Sequence, residues 1–400
     1  MRFLRCFLLH SESYWIFWAI FAEFVCIIDV KKEILFIIEN LRGGGAEKAL
    51  VDLLQRFDYT RYNVSLCVAH LGGVYQNDIP EEVNIIPLYK ENHSLCRKAF
   101  RYYKRYGFSY MLKFQLQRRI KLSYDVIVSF LEGRSLLMHN LIKERGKQNI
   151  TWVHCDLLTY HWTTSAFPNL TAERACYTNM DKVVFVSHEA MKNFSELFQL
   201  SVPSICIYNL IDAVRIRKLA AEEEIPHTCI TVTSIGTVNR VKAFDRIVRV
   251  AKCFQQENGP IRFQIIGEED DERQLRALCR ELGVQDSVSI LGFKNNPYPY
   301  LKSSDIYVST SLSEGFSLVI CEAMSLGVPI VATHTAGASE LLENGEYGVL
   351  VEQDDEAIYR GIKRLVDDKQ LRRQYAEKAA LRSENFNADE TMQKIYELFN

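Results

Sequence analysis

The sequence predicts an α/β protein with two doubly wound, Rossmann-like domains that face a central cleft. The chain has 400 residues, which is more than one hydrophobic core usually organises. From Glu33 onward, short β-branched runs alternate with segments of helical periodicity, as in parallel sheets with helical crossovers. The composition, with 48% hydrophobic and 24% charged residues, is that of an ordinary globular chain. Disordered, collagen-like and multi-span membrane classes are therefore excluded.

Twelve strands are predicted, six in each half of the chain. The first six are residues 33–38, 64–69, 83–88, 125–130, 149–153 and 182–187. The second six are residues 230–235, 262–266, 288–291, 305–309, 328–332 and 347–351. A polar stretch from Asp212 to Thr228 marks the boundary, so we expect one domain over residues 31–210 and a second over 211–383. Residues 384–400 are expected to form a helix that crosses back to the first domain.

Residues 1–30 differ from the rest of the chain. A basic start precedes an apolar run from Tyr14 to Ile28 that Glu23 interrupts. The run is shorter than the about 20 residues of a spanning helix, and it lacks the cleavage site of a signal peptide. Three hypotheses stay open: an interfacial anchor, a poor signal anchor, or an artefact of start-codon choice. The third is favoured, because Lys31 and Lys32 after Val30 resemble the start of many such cytosolic chains.

The net charge and the cysteine content limit the classes of partner and the cellular compartment that can be expected. With 48 basic and 50 acidic residues the formal net charge is −2, which provides no field to attract nucleic acid, and no such partner is predicted. The eleven cysteines form no CxxC pair and are odd in number, which argues against a disulfide framework and a zinc site and favours the reducing cytoplasm. The acidic run at 268–272 is interpreted as a favourable helix start. No metal site is predicted.

The first predicted strand leads into a glycine-rich loop that opens an amphipathic helix. Glycines at such a turn let backbone N–H groups approach an anion at the positive end of the helix. We therefore predict that Gly44 and Gly45 contact a bound anion, and a merely tight turn is the alternative. The spacing is not GxGxxG, because Lys48 stands where that motif needs glycine, nor is it GxxxxGK[ST].

The most specific motif follows the strand predicted at 305–309. Carboxylates accept paired hydrogen bonds from vicinal hydroxyls, so Glu322 suits a ribose and Glu314 a sugar or an acceptor. The amides that open the next helix, together with its dipole, suit a diphosphate. The segment around Glu322 is nearly all apolar, so a merely solvated helix is disfavoured. The binding residues predicted here are Gly315, Phe316, Ser317, Leu318 and Glu322.

With these motifs the chain resembles the retaining GT-B glycosyltransferases of family 4, also called glycosyl transferases group 1, over about residues 33–383. The Glu-x7-Glu motif within SEGFSLVICEAMSLGVPIVAT carries the resemblance. The segments GGGAEK, SIGTVNRVKAFDRIV, VVFVSHEAMKNF and IYNLID support it. The resemblance implies a donor site in the second domain and an acceptor site in the first.

The activity implied by the resemblance is transfer of a hexose-type sugar with its anomeric configuration kept. The donor is a nucleotide diphosphate sugar, most commonly a UDP-sugar, which is a substrate rather than a cofactor. The acceptor is a hydroxyl of a glycan or lipid-linked molecule, as in surface polysaccharide or glycolipid biosynthesis. No cofactor or metal is expected, and no DxD signature of metal-dependent transferases is found in the sequence.

The resemblance also assigns roles to single residues. Lys242 falls on the family's phosphate-binding lysine, and Arg240 is expected to supply a second cation because Thr237 stands where the family has arginine. Fixed cations stabilise a departing diphosphate, and a pair of ordinary solvated charges at a helix start is the alternative. His154 falls on a histidine that faces the donor sugar, or it makes a structural hydrogen bond.

The catalytic residues expected from this comparison are Glu314, His154 and Lys242. Gly337 is expected as a backbone contact to the donor. Two other classes stay open. One is a sugar-nucleotide-binding subunit without activity, which Thr237 suggests. The other is an NAD-type oxidoreductase, which the Rossmann-like halves suggest despite the missing GxGxxG motif.

A basic and aromatic segment covers residues 97–121. No acidic residue occurs between Ser94 and Tyr124, while nine Lys and Arg side chains alternate with aromatic ones. Such a helix can rest on an anionic membrane, so we expect contact with the inner face of the membrane. A solvated helix that covers the sheet is the alternative.

Overall fold

The structure is a computed structural model that describes residues 31–89, 93–255, 261–267 and 272–400. The hypotheses on residues 1–30 lie outside the described residues, and so does the interpretation of residues 268–271. The described chain forms one seven-stranded and one six-stranded sheet.

The first sheet has the order β3-β2-β1-β4-β5-β6-β7, and its strands are parallel. Its strands are β1 (Lys32–Ile38), β2 (Tyr62–His70), β3 (Asn84–Tyr89), β4 (Tyr124–Ser129), β5 (Gly146–Val153), β6 (Lys182–Phe185) and β7 (Ser204–Cys206). The helices of this half are α1 (Gly45–Gln55), α2 (His93–Tyr106), α3 (Tyr110–Arg119), α4 (Arg134–Asn140), α5 (Leu170–Thr178) and α6 (His188–Phe198).

The second sheet has the order β10-β9-β8-β11-β12-β13 and is also parallel. Its strands are β8 (Ile230–Ile235), β9 (Ile261–Ile266), β10 (Val288–Gly292), β11 (Ile306–Ser309), β12 (Ile330–Thr333) and β13 (Val349–Val351). The helices that follow the first half are α7 (Ala213–Leu219), α8 (Asp245–Gln255), α9 (Glu272–Leu282), α10 (Tyr298–Lys302), α11 (Leu318–Ser325), α12 (Ala336–Leu341), α13 (Asp355–Asp367), α14 (Lys369–Ser383) and α15 (Ala388–Phe399).

The predicted fold class is confirmed, and all twelve predicted strands are present with ends that differ by a few residues. The additional strand is β7, which has three residues and directly follows Pro203. A run this short has no detectable alternation, so its pattern does not separate it from a loop.

Strand β1 is buried on both faces, as a central strand of a parallel sheet should be. Ile34 and Phe36 belong to one hydrophobic cluster, and Leu35 and Ile37 belong to the other. The first of these clusters continues into the second half of the chain through Ile320 and other residues of α11. The two halves are therefore joined by apolar packing as well as by the connecting chain.

Helix α15 lies against the first sheet. The ring of Phe399 contacts Phe36, Phe57 and Trp152 with centroid distances of 6.2, 6.2 and 6.5 Å. Lys32 donates a hydrogen bond from Nζ to the carbonyl of Phe399 at 3.1 Å. The last helix is thus held by the first half of the chain, although it follows the second.

Candidate active site

A cavity of about 370 Å³ lies between the two halves, at loops that follow β1, β5, β8, β9 and β11. This is where the ligands of open parallel sheets bind. The residues predicted from the sequence that line it are Gly45, His154, Lys242, Glu314, Phe316, Ser317, Leu318 and Glu322. Gly44, Arg240, Gly315 and Gly337 are not among the lining residues.

The glycine-rich loop after β1 brings the start of α1 close to the second half. Gly43 has φ of 134°, a conformation that side chains with Cβ rarely adopt. Gly44 is the N-cap of α1, and its carbonyl accepts a hydrogen bond from the N–H of Lys48 at 3.0 Å. A Cβ on Gly45 would lie 3.9 Å from Leu318 at the start of α11. The starts of two helices therefore meet at the cavity.

Glu322 is 3% exposed on α11, whose N-terminus is capped by Ser317. Its Oε1 lies 3.1 Å from Nζ of Lys48 and accepts a hydrogen bond from the hydroxyl of Tyr298 at 3.2 Å. The buried carboxylate is therefore paired with a cation from the opposite half, which offsets the cost of its burial. Sequence reasoning missed both partners, because neither lies near Glu322 in the chain.

Lys48 is shared by two carboxylates. Its ammonium also lies 2.9 Å from Asp52, one turn further along α1. Burial disfavours the charged form, but Glu322 and Asp52 outweigh burial and raise the pKa of Lys48 well above its ordinary value. The spacing of Lys48 and Asp52 at i and i+4 was a signal in the sequence that the two side chains form an ion pair on one face of this helix.

Lys242 and Glu314 form an ion pair at the cavity wall. The same carboxylate oxygen of Glu314 accepts a hydrogen bond from the hydroxyl of Ser311 at 2.8 Å. Gly236, at the end of β8, has φ of 154°, and a Cβ there would lie 3.2 Å from Cε of Lys242. The structure thus brings together a cation and a carboxylate that the sequence predicted separately.

His154 is buried beneath the cavity with its ring against Phe130, at a centroid distance of 4.9 Å. Burial lowers its pKa to about 3, while a hydrogen bond with the backbone carbonyl of Phe130 acts in the opposite direction. Nε2 has no hydrogen-bond partner among the described residues, so Nδ1 donates to the carbonyl. The imidazole is therefore neutral near pH 7, and Nε2 offers a lone pair.

Glu132 is a buried carboxyl group that sequence reasoning missed. It is 0% exposed and accepts hydrogen bonds from the N–H of His154 at 2.9 Å and from the indole N–H of Trp162 at 3.0 Å. Burial raises its pKa, and these hydrogen bonds act in the opposite direction. Glu132 thereby fixes the backbone at the end of β5. Its position after strand β4 was the only signal in the sequence.

Two of the predicted glycines serve close packing. A Cβ on Gly315 would overlap the carbonyl oxygen of His154, so the two halves contact each other through their backbones at this point. The N–H of Gly337 donates to the carbonyl of Glu314 at 2.8 Å. Because this amide is already used, Gly337 supports the Glu314 loop from behind, and its backbone contact to the donor stays a prediction.

Arg240 does not supply the expected second cation in this cavity. Its side chain is exposed and lines a separate cavity. The Asn239 side chain accepts hydrogen bonds from the N–H groups of Val241 and Lys242 at 3.0 and 3.1 Å. This turn brings Lys242 to the site and leaves Arg240 outside it. Among the lining residues the lysines are Lys48, Lys242 and Lys294.

One set of side chains in the described ranges could hold a metal ion, namely His188, Cys206 and Glu340. It is separate from the lining of the cavity. The Glu340 carboxylate already accepts hydrogen bonds from the N–H groups of His188 and Glu189, both at 3.0 Å, and from the Tyr208 hydroxyl at 2.7 Å. Its evident role is to join α12 to the start of α6.

Two family profiles match consecutive parts of the chain. The profile described as "Glycosyltransferase Family 4" matches residues 43–215. The profile described as "Glycosyl transferases group 1" matches residues 215–382. The two matches meet in α7, between the two sheets.

Named relatives are similar to the chain over different lengths. A protein of Haemophilus influenzae named as an uncharacterized glycosyltransferase is 27% identical over 370 residues, which cover 91% of this chain and 98% of that protein. An N-acetylgalactosamine-N,N'-diacetylbacillosaminyl-diphospho-undecaprenol 4-alpha-N-acetylgalactosaminyltransferase of Campylobacter jejuni is 31% identical over 215 residues. That match covers 53% of this chain and 58% of the Campylobacter enzyme.

Solved structures share the fold. HepE of Anabaena, in complex with UDP and glucose, superposes with a TM-score of 0.70 at 22% identity, over 92% of this chain and 99% of HepE. Sucrose-phosphate synthase of Thermosynechococcus elongatus superposes with a TM-score of 0.73 at 18% identity, over 92% of this chain and 98% of that chain. At these identities the likeness concerns the fold.

We expect Gly315→Ala to lower the free energy of unfolding by about 1–3 kcal/mol, because the added methyl group overlaps the His154 carbonyl and forces the halves apart. Urea denaturation measures this change. Gly45→Ala, on the facing loop, is the matched control, since its methyl group meets Leu318 only at ordinary contact distance. Equal stability of the two variants would contradict the close backbone contact.

Proposed function

The chain belongs to the group 1, family 4 glycosyltransferases of the GT-B fold, and from this premise we propose that it moves a hexose-type sugar from a nucleoside diphosphate to an acceptor hydroxyl with retention of anomeric configuration. The observation that carries the proposal is the cavity between the two halves. It is lined by an ion pair of Lys242 with Glu314 and by the buried carboxylate of Glu322.

In this proposal the chemistry is a substitution on one face of the sugar. The bond from the anomeric carbon to the diphosphate oxygen breaks, and a bond to the acceptor oxygen forms. The ammonium of Lys242 and the amides at the start of α11 stabilise the charge on the departing diphosphate. A departing phosphate oxygen takes the proton of the acceptor hydroxyl. Neither a metal nor a cofactor takes part.

Three other side chains of the cavity hold the donor. Glu322 accepts hydrogen bonds from the ribose hydroxyls, and Glu314 accepts one from a hydroxyl of the sugar. His154 orients the sugar. The imidazole is neutral and its Nδ1–H donates a hydrogen bond to the carbonyl of Phe130, so Nε2 accepts a hydrogen bond from a sugar hydroxyl.

We propose UDP as the nucleotide of the donor and a glycan or lipid-linked molecule as the acceptor. Complexes of HepE with UDP and with UDP-glucose support the choice of UDP as the nucleotide. The Campylobacter relative, whose name specifies an undecaprenol diphosphate acceptor, supports the acceptor class. With this donor and this acceptor class, the proposed biological role is surface polysaccharide or glycolipid biosynthesis.

A sugar-nucleotide-binding subunit without activity remains the second candidate. It is favoured by a single feature, the exposure of Arg240 together with Thr237 in the cavity wall. One fixed cation fewer at the diphosphate would slow its departure. Measured turnover separates the two candidates.

The membrane contact is proposed for a surface of α2, α3 and their flanks, which we call the basic–aromatic surface. Its exposed apolar residues are Leu95, Tyr102, Tyr106, Phe108, Tyr110, Met111, Phe114 and Leu122. Its exposed cations are Arg97, Lys98, Arg101, Arg105, Lys113, Arg118 and Lys121. Exposed aromatic side chains beside cations suit the boundary of an anionic bilayer. We therefore propose that this surface contacts the cytoplasmic face of the membrane.

Within the described ranges, no helix is both long and apolar enough to span a bilayer. Lys104 differs from the exposed cations of the basic–aromatic surface. Its ammonium donates hydrogen bonds to the backbone carbonyls of Thr164 and Phe167, so it holds a loop of the first half in place. A test of membrane binding should therefore leave Lys104 unchanged.

We expect UDP to bind more tightly than GDP or NAD, and Glu322→Gln to weaken UDP binding about 10- to 100-fold, because hydrogen bonds from the ribose hydroxyls to a charged acceptor are lost. Isothermal titration calorimetry measures the three affinities. Glu356→Gln, an exposed glutamate on α13, is the matched control. Binding of NAD alone would contradict the proposed nucleotide donor.

We expect Glu314→Gln to lower kcat about 100-fold or more with little change in the KM of the donor, since an electrostatic contact to the reacting sugar is lost. Steady-state kinetics with a UDP-sugar and a lipid-linked acceptor measure this change, and NMR of the product reports the anomeric configuration. Normal turnover in Glu314→Gln would contradict the role of this residue, and an inverted product would contradict retention.

We expect the pair Arg101→Glu and Arg105→Glu to weaken binding to vesicles with anionic lipid at least about tenfold, because each cation near the surface contributes about 1 kcal/mol. Co-sedimentation measures the bound fraction. The pair Lys369→Glu and Arg373→Glu on α14 makes the same change of charge in the second half and should leave binding unaltered. Equal binding by wild type and the α2 variant would rule out this surface.

A further inference from the structure

We propose that Lys48 is a positioning residue that sets the carboxylate of Glu322 for the ribose of the donor. The inference rests on the proposed function, in which Glu322 accepts hydrogen bonds from the ribose. From the sequence, the ribose was expected to be bound by Glu322 of the second half. The inference adds Lys48, a residue of the first half, to this binding site.

Lys48 and Glu322 come from different halves of the chain and meet at the cavity. Lys48 lies in the first turn of α1, directly after the glycine-rich loop, and Glu322 lies in the middle of α11. Their charged groups are 3.1 Å apart, and both residues line the cavity. The ion pair is therefore part of the cavity wall and can act on a ligand there.

The position of the ammonium is fixed from its own helix. Asp52 lies 2.9 Å from Nζ on the side of α1, and Asp52 is in turn 3.5 Å from the guanidinium of Arg215. A lysine side chain loses much rotamer freedom when it is held in this way. Because the contact with Asp52 already restricts the side chain of Lys48, the ammonium occupies one position next to Glu322.

The contacts of Glu322 leave one oxygen for a ligand. Both Lys48 and the hydroxyl of Tyr298 contact Oε1. Among the contacts described for this part of the chain none involves Oε2, which therefore remains to accept a hydrogen bond from a hydroxyl in the cavity. Lys48 and Tyr298 thus determine which carboxylate oxygen faces the ribose.

Charge supports the same conclusion. Glu322 is nearly fully buried, and a buried carboxylate without its cation is costly, so its side chain would turn away from this position toward water. Such a turn would remove the acceptor that the ribose hydroxyls need. Removal of the Lys48 ammonium should therefore affect recognition of the ribose rather than recognition of the diphosphate.

The test compares UDP with 2′-deoxy-UDP in calorimetric titrations of the full chain. We expect wild type to prefer UDP by about tenfold or more, because a site built for a hydroxyl rejects the analogue that lacks it. Lys48→Met keeps the length of the side chain and removes its charge, and the preference should fall to about one, as in Glu322→Gln. Lys48→Arg keeps a cation and should retain part of the preference.

A double-mutant cycle tests whether Lys48 acts through Glu322. If it does, Lys48→Met changes UDP affinity in the wild-type background and has little effect in the Glu322→Gln background. Lys294→Met removes another lysine of the same cavity and should leave the preference for the ribose hydroxyl unchanged. Urea denaturation of each variant establishes that it is folded, and Lys48→Gln, which also removes the charge, takes the place of Lys48→Met in the comparison if the latter is unfolded.

Two results would overturn the inference. An unchanged preference for UDP in Lys48→Met, with loss of preference in Glu322→Gln, would show that Glu322 needs no positioning. An equal loss of affinity for both nucleotides that persists in the Glu322→Gln background would show that Lys48 binds the diphosphate directly. Wild type that binds no UDP would instead contradict the proposed function, and the inference would fall with it.

Discussion

The constraint on which this site depends is the burial of carboxylates where two sheets meet. A buried carboxylate is costly unless a cation or several donors accompany it, and here the cations come from distant segments of the chain. Glu322 of α11 is paired with Lys48 of α1, and Glu314 is paired with Lys242. Each pair joins segments that are far apart in the chain, so the loops of the cavity hold one another in place.

The close packing of the two halves follows from this constraint. Ion pairs of this length require the helix starts to approach, and the glycines permit that approach: Gly45 lies beside Leu318, and Gly315 lies against the carbonyl of His154. Apolar packing continues across the same boundary, from β1 to α11. Helix α15 adds a further tie, because it follows the second half and packs on the first sheet.

The sequence predicted what depends on local patterns. Alternation of apolar runs and helical segments gave the two sheets and all strands but β7, and the spacing of Glu314 and Glu322 marked the cavity. What it missed depends on contacts between distant segments. The pairing of Lys48 with Glu322 and the support of His154 by Glu132 arise only when the strands are assembled. Arg240 was assigned to the site because Thr237 stands where the family has arginine and Arg240 lies between Gly236 and Lys242. The turn capped by Asn239 instead directs Arg240 and Lys242 to different cavities.

The hydrogen bonds of Lys104 have a mechanical consequence. Helix α2 holds the carbonyls of Thr164 and Phe167, the same loop carries Trp162, and the indole of Trp162 shares Glu132 with the N–H of His154. All these groups belong to the first half of the chain. The backbone of His154 is therefore connected to α2 through contacts within the first half alone, and a displacement of α2 would be transmitted to the wall of the cavity.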